Sequence, residues 1–151
     1  MIYIGADHAG YELKNNLILF LKEKGLEVED CGAFKFEELD DYPDFIIETA
    51  EKVSLDLNKN LGIVIGGSWQ GEAIVANKVK GIRAALYYGG PKEIITLSKI
   101  HNNANVLSLG ARFVNLEEAK EVVDLWINEK FKEEDRHKRR VEKILKYEYN
   151  K

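Results

Sequence analysis

The 151-residue sequence predicts an α/β chain: a three-layer α/β/α domain built on a five-stranded parallel sheet, with a basic helical tail at its C-terminus. Two observations carry this expectation. Short apolar or β-branched runs alternate with amphipathic stretches, at a spacing that leaves room for a helical crossover between successive strands. The runs are also compact and apolar or β-branched, as expected of strands buried on both sides. A chain of this length fits one domain, taken as residues 1–151 with 130–151 as the tail.

The expected strands are residues 2–5, 26–30, 61–65, 82–87 and 106–109. Between the first two, Leu13, Leu17, Phe20 and Leu21 fall at i, i+4, i+7 and i+8, and Gly25 supplies a stop. Pro43 suits the first turn of a second helix, with Phe45, Ile46 and Val53 on its apolar face. Asn115 can cap a helix over 116–128. No repeat, low-complexity tract or interdomain linker interrupts the pattern.

Composition narrows the function classes. With 45% hydrophobic and 32% charged residues, the chain has the make-up of a globular protein. Its one cysteine, Cys31, cannot form an internal disulfide, so nothing points to an oxidising compartment. The opening MIYIGADHAG lacks the basic start and long apolar run of a signal peptide. No apolar stretch approaches the roughly 20 residues that span a bilayer. A cytoplasmic address with no membrane partner is the expectation. The net charge of −4 is unevenly spread: residues 130–151 carry nine Lys/Arg against five Asp/Glu. Such a tail is either a solvated helix or a carrier of cations to an anionic ligand or partner, and composition leaves both open. The acidic body disfavours nucleic acid.

In parallel sheets of this kind, ligands bind beyond the carboxyl ends of the strands. That rule selects Asp7 and His8, the stretch 31–42, the stretch 66–72, and residues 110–112. The segment GGSWQGE (66–72) is the most informative. Its glycines let backbone N–H groups approach a phosphate or a developing oxyanion, although a plain tight turn would look the same. Glu72 beside that loop would repel a phosphate, yet it is well placed as a base near an enediolate; the alternative is a simple complement to a helix dipole. The segment fits neither the dinucleotide nor the nucleoside-triphosphate loop pattern. Of the three histidines, His8 follows Asp7 at a strand end, and His101 sits in a polar HNNAN segment that reads as a turn. His137 lies in RHKRR (136–140); if helical, Arg136, His137 and Arg140 share one arc beside Val141, Ile144 and Leu145. There is no His-x-x-x-His pair and no Cys-x-x-Cys, so neither a metal nor an organic cofactor is expected.

Taken together, GADHAGYELK (5–14), DCGA (30–33), DDYPDF (40–45), GIVIGGSWQGE (62–72), ANKVKGIRAAL (76–86), HNNANVLSLGAR (101–112) and RHKRR (136–140) resemble the ribose-5-phosphate isomerase type B family, with its galactose-6-phosphate isomerase relatives. The resemblance implies a Rossmann-like domain that forms a homodimer, with tetramers as a further option. It implies reversible aldose–ketose isomerisation of ribose 5-phosphate and ribulose 5-phosphate through a cis-enediolate. Many members place a cysteine base where this chain has Gly66; the sequence looks instead like the GGSxxGE branch, in which the glutamate is the base. Glu72 then matches the base, and Ser68 the hydroxyl that assists proton movement between the sugar oxygens. His101 with Asp7 would open the furanose ring, and the backbone of Gly67 to Gly71 would hold the enediolate. His8 and Arg112 would bind phosphate, joined by Arg136, His137 and Arg140 of the other subunit. Tyr42 and Asn102 would line the sugar.

Two alternatives stand beside this reading. One is an isomerase of allose or galactose 6-phosphate, with Trp69 either narrowing the pocket or packing over its rim. The other is a non-catalytic sugar-phosphate binding module, which would need the glycines and arginines but not Glu72, Ser68 and His101 together.

Overall fold

The computed structural model describes residues 1–150. Five strands are formed: β1 (Ile2–Ala6), β2 (Val28–Asp30), β3 (Leu61–Gly66), β4 (Ala84–Tyr87) and β5 (Val106–Gly110). They make one parallel sheet in the order β2-β1-β3-β5-β4. Six helices connect and extend them: α1 (Tyr11–Glu23), α2 (Tyr42–Ser54), α3 (Gln70–Ala76), α4 (Glu93–Asn102), α5 (Leu116–Asn128) and α6 (Asp135–Tyr149).

Alternation along the central strands sorts the side chains into two layers. Ile63, Ile65, Leu107 and Leu109 point to one face, where Leu17 and Leu21 of α1, Ile95 of α4 and Trp126 of α5 cover them. Val64 and Val106 point to the other, against Ile46, Ala50 and Val53 of α2 and Ala76 of α3. Each large aliphatic side chain withdrawn from water in this way contributes about 1.5–3 kcal/mol. The α/β/α expectation thus holds, and the helices obey their expected signals. Gly25 follows α1 with φ 76°, and Asn115 Oδ1 accepts the Glu118 amide at 2.9 Å. Pro43 occupies the first turn of α2.

Three expectations need correction. β2 begins at Val28, not residue 26, because the Leu26 amide is spent on Leu21 O (3.1 Å) in closing α1. β4 begins at Ala84, not residue 82: the Ile82 amide turns back to Val79 O (3.1 Å), and Asn105 Oδ1 takes the Arg83 amide (2.7 Å). His101 and Asn102 are not in a turn; they form the last turn of α4, which ends where Asn103 goes left-handed at φ 48°. The tail is helical, as the RHKRR arc required. α6 buries His137 and Val141 and is tied down at its far end, where Glu148 Oε2 accepts the Gly81 amide at 2.8 Å. Among the described residues, no helix is long and apolar enough to cross a membrane.

The connectivity places the site. From β1 the chain moves outward to β2; from β3 it moves to the opposite side of the sheet. The two departures leave a crevice at the carboxyl ends of β1 and β3.

Candidate active site

A cavity of about 470 Å³ opens in that crevice, lined by Asp7, His8, Ala9, Tyr42, Gly67, Ser68, Gln70, Gly71, Glu72, Ile74 and Arg112. All four strand-end stretches selected by sequence therefore contribute to one space.

Glu72 is the third residue of α3 and is 4% exposed. Its carboxylate folds back beneath the end of β3, into the space beside Gly66. Burial raises its pKa above the ordinary carboxyl range; the Asp7 charge adds to this, and its own backbone amide opposes it. Asp7 is also raised, chiefly by burial, although its Oδ1 accepts the Gly10 amide at 3.1 Å. Two carboxyl groups in one cavity thus bind protons more readily than carboxyls in water. A carboxylate so tuned is a stronger base toward a carbon-bound proton.

The loop between β3 and α3 is braced from behind. Trp69 sits left-handed at φ 56° immediately before α3. Its indole lies over Gly110, where any Cβ would overlap the ring. It stacks on Tyr88 (5.6 Å, 15°) and meets Phe113 edge-on (4.7 Å, 83°). Ser108, buried on β5, donates its hydroxyl to the Trp69 carbonyl at 2.9 Å. Trp69 consequently faces away from the cavity and does not narrow it, while Ser68 on the other side of the loop is exposed. The Tyr42 ring closes against Gly71, leaving no room there for a side chain.

His8 and Arg112 both line the cavity, the latter with its guanidinium beside Gly67. His8 is bound by Asp40, which lies in the stretch leading to α2: Asp40 Oδ1 takes the His8 backbone amide at 3.1 Å and lies 2.7 Å from Nδ1. Asp7, His8 and Asp40 bring ligand-type atoms within 4.8 Å of one another. A cation held by Nδ1 there would have to displace the His8–Asp40 contact.

The remaining candidates gather elsewhere. His101 and Asn102 close α4, outside the lining of the cavity. The His101 ring stacks on His137 of α6 at 4.2 Å and 8°. His137 is 3% exposed, and its pKa is lowered by burial first, then by the neighbouring His101 and Arg136. Arg136 Nε donates to His137 Nε2 at 3.2 Å, and Arg136 and Arg140 are exposed. The expected residues thus form two groups within one chain, one around Glu72 and one around the His101–His137 stack. Cys31 belongs to neither; it is fully buried, and burial pushes its thiol pKa up. Sequence reasoning missed Ile74, which carries no distinguishing signal, and gave Gln70 no role of its own. It also missed Asp40, whose one mark is the doubled acid before Tyr42-Pro43.

The chain is similar to known proteins over nearly its whole length. A family profile described as Ribose/Galactose Isomerase matches residues 2–144. Ribose-5-phosphate isomerase B of Mycobacterium tuberculosis is 43% identical over 147 residues, covering 97% of this chain and 89% of that protein. The Escherichia coli protein of the same name is 40% identical over 147 residues, covering 97% and 95%. Among solved structures, ribose-5-phosphate isomerase B of Mycoplasma genitalium with bound ribulose-5-phosphate superposes with a TM-score of 0.94. It is 42% identical, with 99% of this chain and 97% of that chain covered. The Clostridium thermocellum ribose-5-phosphate isomerase B structure gives 0.90 at 43% identity, with 99% and 97% covered. The chain is an isomerase and belongs to the ribose/galactose isomerase family.

Proposed function

We propose that this chain interconverts ribose 5-phosphate and ribulose 5-phosphate, with Glu72 as the base. The observation that carries the reading is a buried glutamate of raised pKa in a cavity that His8 and Arg112 also line. The phosphate is a remote handle; its binding to His8 and Arg112 sets the reacting carbons against the base. Glu72 takes the C2 proton of the open-chain aldose, and the electron pair moves through C1–C2 onto the carbonyl oxygen as a cis-enediolate. The backbone of the Gly67–Gly71 loop stabilises that charge, and the Ser68 hydroxyl passes a proton from O2 to O1. Glu72 returns its proton to C1, which leaves the carbonyl at C2. No step requires a metal or an organic cofactor.

The second group of residues completes the site from another copy of the chain in a homodimer. His101 would open the furanose ring with Asp7, and Asn102 would line the sugar. Arg136 and Arg140, with His137, would join His8 and Arg112 at the phosphate. Support comes from the exposure of Arg136 and Arg140, and from the position of His101 and Asn102 outside their own chain's cavity. The same reading places the enzyme in the cytoplasm.

The test is Glu72→Gln, which keeps the shape and removes the proton acceptor. A loss of about 10²–10⁴ in kcat is expected, together with loss of solvent deuterium incorporation at the sugar carbon. Near-normal turnover in that variant would reject the base.

A further inference from the structure

Asp40 is the least explained group near the cavity. Its side chain is 5% exposed, His8 supplies its hydrogen bonds, and its Oδ2 is buried with no partner among the described residues. A carboxylate placed this way is costly to bury, so it stands out unless it does something for its neighbour. The geometry defines what it does. Oδ1 already accepts the His8 amide, and an ionised carboxylate has no proton to give, so the 2.7 Å contact requires that Nδ1 of His8 be the donor. The ring proton is thereby fixed on Nδ1, and Nε2 is the nitrogen left free. The two bonds also hold the backbone and ring of His8 to a single point, which sets the direction of the imidazole. His8 in turn lines the cavity together with Arg112, and the two also share an adjoining hollow.

We propose that Asp40 is a positioning residue for the phosphate end of the site: it keeps Nδ1–H of His8 on its carboxylate and turns Nε2 toward the phosphate, where the ring takes up a second proton and donates Nε2–H to a phosphate oxygen. The proposal rests on the sugar-phosphate reading for the role of His8, but its test uses inorganic phosphate and ring nitrogens, which do not depend on isomerase turnover.

In the wild-type protein, nitrogen-15 correlation spectra of the imidazoles should show His8 protonated at Nδ1, the His8→Ala variant serving to assign its signals. Titration with inorganic phosphate should then move the Nε2 signal. Asp40→Ala should raise the dissociation constant for phosphate and the KM for ribose 5-phosphate together, by about tenfold, while kcat stays within about threefold. Asp40→Asn keeps an acceptor oxygen and should recover most of that loss. In a His8→Ala background, Asp40→Ala should add less than about twofold, because the residue through which it acts is gone. Equal losses in both backgrounds would make Asp40 a loop anchor and overturn the proposal. A wild-type His8 protonated on Nε2 alone would overturn it as well, even if Asp40→Ala failed to fold. Normal phosphate binding without isomerase activity would count against the proposed reaction and leave the Asp40–His8 relation intact.

Discussion

The carboxylate of Glu72 fills the space into which any side chain at residue 66 would project: a Cβ on Gly66 would overlap Glu72 Oε1 and Cδ. A cysteine at 66 and a glutamate at 72 in this placement exclude one another. Glu72 can hold this placement only while residue 66 is glycine.

That exclusion predicts the behaviour of Gly66→Ala. The added methyl must displace the Glu72 carboxylate, and a misplacement of about 1 Å at a reacting group can cost on the order of 10² in rate. The expected result is a comparable fall in kcat together with a lower Tm. Adding Glu72→Ala should restore the Tm without restoring turnover. Unchanged kcat in Gly66→Ala would show that the carboxylate at this position does no chemistry.

Trp69 is predicted to act on loop stability and not on substrate size. Trp69→Gly relieves a left-handed residue but empties the hollow between Gly110, Tyr88 and Phe113. Removing so large a buried side chain costs about 3–5 kcal/mol, less about 1–2 kcal/mol for the relaxed backbone. The Tm should drop, while the ratio of hexose-phosphate to pentose-phosphate turnover should stay the same. A raised hexose ratio would mean the indole reaches the sugar after all.

Lys99 gives a pH prediction. It is 6% exposed, with Nζ 3.9 Å from the centroid of the Trp126 ring, and burial, then Arg83, lowers its pKa to about 8. An unfolded lysine titrates near 10.4, so between about pH 8 and 10.4 the unfolded chain binds more protons and stability rises with pH. Below about pH 8 the cost of the buried charge is fully present. Lys99→Met should accordingly raise stability at pH 7 by on the order of 1–3 kcal/mol, with the gain shrinking toward pH 10.4. Denaturation of both proteins across that range measures it; a variant less stable at pH 7 would mean the cation–ring contact outweighs the desolvation.

Sharing of the site between subunits is testable by mixing. Glu72→Gln lacks the base and keeps its tail; Arg140→Ala keeps the base and damages the tail. If each tail serves the other subunit, a hybrid dimer has one site with both parts sound. Random exchange makes about half the dimers hybrids, giving about a quarter of wild-type activity. Mixing that restores nothing after verified exchange would assign each tail to its own subunit.

Most of the sheet was legible because buried parallel strands leave a local mark, a short apolar run with turns at its ends. The strand-end rule then found Asp7, His8, Tyr42, Ser68, Glu72 and Arg112 as one cavity, since topology alone brings those ends together. α4 was not legible: its sequence EIITLSKIHN mixes β-branched residues with a polar end that looks like a turn. The errors at Leu26 and Ile82 have one cause, amides claimed by adjoining turns, which hydropathy does not register. The burial of Asp40 and Lys99 was hidden for another reason: each is polar in sequence and is covered by groups distant along the chain, His8 for one and Trp126 for the other.

The parallel stack of His101 on His137 ties the end of α4 to the start of α6 across 36 positions of sequence. Each ring covers a face of the other, so any movement that lifts the start of α6 from the end of α4 bares both imidazoles at once.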